Sequence, residues 1–148
     1  MHIFYINLRS RPDRRDYMER QTRLLGLEME RFEAVTPADI SPEEIADAAP
    51  WIGKSELACS LSHRAVWQTM LARGFPSALV LEDDCALSPE VPAVLSDSQL
   101  LSPAIDMLQL ETHPSAATLG RSAATAVPSI GKRRMMSSCL GTCGYIIT

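Results

Sequence analysis

An α/β protein with a mostly parallel sheet is what this sequence predicts, and two features predict it. Short apolar, β-branched runs alternate with amphipathic helical stretches. The helical stretches also carry start or stop signals, so the alternation is punctuated rather than continuous. At 148 residues the chain suits a single domain spanning residues 1–148 with a core of its own. Hydrophobic residues make up 46% and charged residues 22%, which is a globular rather than a disordered composition.

The elements follow in order. Residues 2–8, HIFYINL, are apolar and β-branched or aromatic at most positions, as in a buried strand. Ser10 and Asp13 form an S-x-x-D start signal with Pro12 in the first turn of a helix. Tyr17, Met18, Leu24 and Leu25 fall on one helical face, with Gln21 between them, and Gly26 stands where a C-terminal cap belongs. A second strand is expected around residues 28–35. Ser41-Pro42-Glu43-Glu44 opens a short helix by the same capping logic, and residues 46–53 read as a loop. Ser55 is the expected cap of a long helix over about residues 56–73. Leu57, Leu61, Trp67, Met70 and Leu71 form its apolar face, and Gly74 ends it. Phe75-Pro76-Ser77 turns the chain into the strand ALVLE. A helix from Pro89 to Leu95 and a strand over residues 105–111 follow. Residues 112–138, rich in Ser, Ala, Thr, Pro and Gly, read as a flexible excursion or hairpin. GYIIT, residues 144–148, reads as a strand: either it is a terminal strand, or the chain is expected to be the front part of something longer.

The net charge of −4 argues against bulk electrostatic binding of nucleic acid. The N-terminus has no basic leader followed by an apolar run, and no segment reaches about 18 uninterrupted apolar residues. The expectation is a cytoplasmic protein, able to rest on the inner face of the cytoplasmic membrane. Cys59, Cys85, Cys139 and Cys143 are then expected as reduced, packing thiols, and the CLGTC spacing is weak evidence for zinc.

Two charged clusters carry the chemistry. The strand ALVLE runs straight into Glu82, Asp83 and Asp84. Ligands of open α/β sheets bind beyond the carboxyl ends of the strands, and three adjacent carboxylates repel one another unless a cation joins them. Hard oxygen donors suit Mg²⁺ or Mn²⁺. Strand alternation would turn Glu82 and Asp84 one way and Asp83 the other. The competing reading is a solvated acidic turn. The second cluster is NLRSRPDRR, residues 7–15. Arg9, Arg11, Arg14 and Arg15 crowd the start of a helix, where cations oppose the dipole and an anion is welcome. The competing reading pairs them with Asp13, Asp16 and Glu19. The loop is neither a GxGxxG turn nor a P-loop.

Three segments in this order resemble glycosyltransferase family 25, which includes bacterial lipooligosaccharide galactosyltransferases: FYINLRSRPDRRDYMERQ at 4–21, ACSLSHRAVW at 58–67 and ALVLEDDCAL at 78–87. DMLQLET at 106–112 and GTCGYIIT at 141–148 extend the likeness. The resemblance implies a GT-A-like (Rossmann-like) sheet with flanking helices. It also implies a UDP-sugar donor such as UDP-galactose, a saccharide or lipooligosaccharide acceptor, and Mn²⁺ (or Mg²⁺). Asp84 is the first choice as metal ligand, with Glu82 beside it. Asn7, Arg9, Arg14, Arg15 and Asp83 would lie at the donor. Ser62 and His63 match the S-H pair of the middle helix, although a lone His on a Leu/Trp face equally suits packing, and Trp67 reads as core. Cys143 stands where a histidine is common in that family. The chain is shorter than such proteins usually are, so a donor-binding half with an incomplete sheet is expected, open to dimerisation along its edge. The catalytic base is unassigned. Two other readings stay open: a remnant that binds nucleotide without turnover, and a receiver-like Mg²⁺-binding signalling domain. Receivers, however, carry their acid pair on the first strand.

Overall fold

A computed structural model describes residues 1–97, 100–101, 105–111, 118–125, 127–136 and 141–148. The elements are β1 (His2–Asn7), α1 (Pro12–Leu25), β2 (Glu30–Glu33), α2 (Pro42–Asp47), α3 (Lys54–Ala72), β3 (Ala78–Glu82), α4 (Val91–Leu95), β4 (Met107–Gln109), β5 (Leu119–Ala124), β6 (Gly131–Met135) and β7 (Gly144–Ile147).

Five strands form one sheet in the order β2-β1-β3-β7-β4. β1 is parallel to both β2 and β3, whereas β7 is antiparallel to both β3 and β4. Four strands therefore share one direction, and β7 alone among them reverses it. β5 and β6 form a separate antiparallel pair within residues 112–138. Cys139 lies outside the described residues.

The order of the first three strands fixes where a cleft can open. The chain leaves β1 to lay β2 on one side, then crosses back to lay β3 on the other. Right-handed crossovers in opposite directions put their helices on opposite faces. One face packs Ile3, Tyr5, Leu79, Leu81 and Ile146 against Met18 of α1. The other packs Phe4, Ile6, Ala78, Val80 and Tyr145 against Val66 and Met70 of α3. Burial on both faces is why β1 and β3 read as unbroken apolar runs rather than alternating ones. β1 and β3 stay paired up to Ile6 and Glu82, and the change in the direction of strand order between β2 and β3 makes their carboxyl ends a topological switch point.

Several local signals hold and several shift. Gly26 adopts the left-handed conformation (φ 62°) that closes α1, and Gly74 (φ 67°) does the same after α3. Ser41 caps α2, accepting from the Glu44 N–H while the Glu44 carboxylate accepts from the Ser41 N–H. Ser10 does not cap α1: Arg11 takes that position without a side-chain bond, because Pro12 already occupies the first helical position. Nor does Ser55 cap α3, which starts two residues earlier from Gly53, whose N–H donates to Glu56 at 2.8 Å. Leu24 and Leu71 point to solvent, at 84% and 74% exposed. Both lie in the last turn of their helices. Met18 is the one fully buried side chain of α1.

Candidate functional site

A cleft of about 140 Å³ opens at the switch point, lined by Ile6, Leu8, Val35, Ser62, Glu82 and Asp83, together with Arg14, Cys59 and His63. Its floor is the carboxyl end of β1, β2 and β3, and its wall is the N-terminal half of α3.

β3 ends at Glu82, so Asp83 and Asp84 lie in a turn and strand alternation no longer governs them. This corrects the expected divergence of Asp83 from Asp84. Arg14 reaches both, at 2.8 Å from Asp83 Oδ1 and 3.0 Å from Asp84 Oδ2. Asp83 is buried and fully engaged, since Asn7 Nδ2 donates to its other oxygen at 2.7 Å. Asn7, 2% exposed, also donates to the Arg11 carbonyl and accepts from Arg31 Nε at 2.8 Å. The last residue of β1 thus ties the arginine loop, β2 and the acid turn together. An uncompensated buried carboxylate would be costly, and this arrangement compensates it twice.

The other arginines of the loop face elsewhere. Arg9 pairs with Glu33 at 2.5 Å, Arg11 with Asp13, and Arg15 with Asp16 and Glu19 at 3.9 and 3.6 Å. The Arg11 guanidinium holds the Asp13 carboxyl down at about 2. Of the four, Arg14 alone lines the cleft. Ser62 lines it too, but its hydroxyl is spent: it accepts from the Val35 N–H at 2.9 Å and donates to the Ala58 carbonyl at 2.8 Å. It braces the chain leaving β2 against α3.

His63 sits deepest. Its Nδ1 lies 2.8 Å from the Tyr145 hydroxyl, which also accepts from Trp67 Nε1 at 2.7 Å. Its Nε2 lies 3.6 Å from Glu82 Oε1, too long for a hydrogen bond, and is buried without a hydrogen-bonding partner among the described residues. Burial opposes the imidazolium, but Cys59 and Glu82 outweigh it and the His63 pKa is pushed up to about 9. His63 in turn holds the Glu82 carboxyl below its ordinary value, with Thr142, which donates to Glu82 Oε1, acting the same way. Burial pushes the Tyr145 phenol up to about 12. Sequence reasoning missed Tyr145, Thr142 and Cys59. Cys59 was findable, four residues before His63 on one helix face. Tyr145 was not, being 82 residues away. Trp67, read as core, is half-buried and binds Tyr145.

A hard divalent cation keeps several waters and takes one or two carboxylates. Asp84 meets that demand: its side chain is 50% exposed, and Arg14 meets one of its oxygens. Asp83 does not, because Asn7 and Arg14 hold both its oxygens. Glu82 is turned toward His63 and Thr142.

The fold and cleft are those of an open α/β protein, a class whose ligands bind beyond the carboxyl ends of the parallel strands. The chain belongs to glycosyltransferase family 25 (LPS biosynthesis protein), whose model matches residues 1–148. It is 35% identical over 115 residues to a "Glycosyltransferase 25 family member" of Aedes aegypti, covering 66% of this chain and 19% of that protein. It is 25% identical over 159 aligned residues to the "Lacto-N-neotetraose biosynthesis glycosyltransferase LgtE" of Neisseria meningitidis serogroup B, covering 100% of this chain and 57% of that protein. The corresponding LgtB of serogroup A is 26% identical over the same shares. The chain thus spans little more than half the length of these bacterial relatives. Among the described residues, no helix is long and apolar enough to cross a membrane.

Proposed function

We propose that this chain forms the donor-binding part of a glycosyltransferase with a GT-A-like arrangement, one that moves a hexose, galactose first among the candidates, from a UDP-sugar to a saccharide such as a lipopolysaccharide core. What carries the reading is the place of Arg14, Asp83 and Asp84: together at the switch-point cleft, in a chain that matches family 25 from end to end. Arg14 is the cationic side chain positioned to meet the donor's phosphates. A guanidinium carries five N–H donors, and the contacts with both acids run through one of its nitrogens. Asn7 and Asp83 hold Arg14 in place rather than meeting the donor themselves. Asp84 would hold Mn²⁺ or Mg²⁺, and Glu82 would join it as a second carboxylate by turning away from His63 and Thr142. Such an ion supplies Lewis-acid stabilisation of a departing diphosphate. Leu8, Ala34 and Val35 offer an apolar wall for a base or ribose.

Calorimetry of UDP and UDP-galactose, with Mn²⁺ and with chelator, tests this. The expected result is metal-dependent binding that Asp84→Asn weakens roughly tenfold or more, equivalent to about 1.4 kcal/mol. Folded wild-type chain that binds neither ligand with Mn²⁺ present would sink the reading. Binding without transfer to any saccharide acceptor would instead favour a nucleotide-sugar-binding chain without turnover.

A further inference from the structure

We infer that Cys59, His63 and Glu82 form a second cation site, one for a borderline-soft ion of the Zn²⁺ class, on the α3 wall of the cleft. Three observations converge. The Cys59 thiol, a His63 ring nitrogen and a Glu82 oxygen all lie within 4.8 Å of one another. His63 Nε2 is buried, has no hydrogen-bonding partner among the described residues and is aimed at this cluster, and the residue itself is 4% exposed. A buried polar atom left without a partner is rare and calls for a ligand. Finally, the 3.6 Å separation of Nε2 from Glu82 Oε1 is too long for a hydrogen bond. It is close to the edge of a tetrahedron with metal–ligand bonds of roughly 2.1 Å, which is about 3.4 Å.

The surroundings suit a metal ligand. A histidine that binds metal through one nitrogen usually fixes its ring through the other. Here Nδ1 is held 2.8 Å from the Tyr145 hydroxyl, itself anchored by Trp67. Thr142 orients the Glu82 carboxylate by donating to Oε1, the oxygen that faces His63. The donor set of one thiolate, one imidazole and one carboxylate selects Zn²⁺ over Mg²⁺ or Mn²⁺, which prefer oxygen alone. Three protein ligands leave a fourth position for water or a substrate oxygen. Cys59 is exposed, so an ion can enter from the cleft without opening the core. Glu82 is the carboxylate this site would share with the hard cation at Asp84. Occupation of one would then withdraw it from the other, a coupling that rests on the proposed function, whereas the site itself does not.

The test uses chelator-treated chain in reductant, without nucleotide. Zn²⁺ binding is followed by calorimetry, and Co²⁺ binding by its thiolate charge-transfer absorption. The expected result is one ion per chain, with Cys59→Ser abolishing the Co²⁺ band and weakening Zn²⁺ at least about tenfold, and Glu82→Gln weakening it as well. Asp84→Asn, and Cys139→Ser combined with Cys143→Ser, should leave the signal intact. Cys59→Ser removes an exposed thiol and does not endanger the fold, which circular dichroism checks. Unchanged Zn²⁺ affinity in Cys59→Ser, loss of binding in the Cys139/Cys143 variant, or no stoichiometric binding by folded wild type would each overturn the site. Because no donor is present, these outcomes are separate from success or failure of UDP-sugar binding.

Discussion

Asn7 shows how one neutral side chain holds a charged site together. Its amide donates to Asp83 and to the Arg11 carbonyl and accepts from Arg31, so it uses both ends at once. Asn7→Ala strips a buried carboxylate of one partner and Arg31 of another. Unsatisfied buried groups cost roughly 1–3 kcal/mol each, so urea denaturation should show a loss of at least about that size. A loss below about 0.5 kcal/mol would mean water replaces the amide freely. His63 gives a pH signature. Its folded pKa, raised to about 9, exceeds its unfolded value of about 6.5. The stability it contributes is complete below pH 6.5 and is lost as the pH rises through 9. The melting temperature, measured with chelator, should fall across that window, and His63→Gln should flatten the fall. Equal slopes in both proteins would refute the ion pair with Glu82.

At the scale of elements, α1 is attached by less than its sequence suggests. Met18 alone is fully buried, with Tyr17 and Leu25 only partly so, and Leu24 is in solvent. Two polar bonds add to this: Gln21 donates to the Cys85 carbonyl at 2.9 Å and accepts from the Leu87 N–H at 2.7 Å. The sequence places Gln21 between the apolar residues of that face, and its bonds clamp the segment that follows the acid turn, 64 residues on. Met18→Ala should cost about 2–5 kcal/mol, and Leu24→Ala less than about 0.5 kcal/mol. Thermal or urea unfolding of the pair checks this. Similar losses would show that the apolar face read from helical periodicity is the working one after all.

For the whole molecule the decisive element is β7. It arrives from the far end of the chain and slots antiparallel between β3 and β4, with Ile146 fully buried and Tyr145 reaching His63. It also caps the acid turn, since the Cys143 carbonyl accepts from the Glu82 N–H at 2.8 Å and from the Cys85 thiol. Without β7, β3 becomes a bare apolar edge, which invites pairing with another chain. A chain ending at residue 143 should therefore lose cooperative thermal unfolding and self-associate in gel filtration. A monomer that still melts cooperatively would show the first three strands to be self-sufficient. The cleft itself is a product of strand order. No single element contains it, and it exists because β2 and β3 flank β1 on opposite sides.

By itself the sequence determined the elements, the alternating α/β class, the caps at Gly26, Ser41 and Gly74, and the two charged clusters at strand ends. These are set by local propensity, periodicity and turn chemistry, which act over a few residues. Tertiary structure alone decided which charges meet. Arg14 joins Asp83 and Asp84 across 69 and 70 positions, while Arg9, Arg11 and Arg15, equal to it in the sequence, pair with acids away from the cleft. It likewise decided that Glu82 parts from its two neighbours to face His63. The physical reason is that a charge interacts with whatever the fold brings within a few ångströms, and strand order, not sequence distance, sets that company.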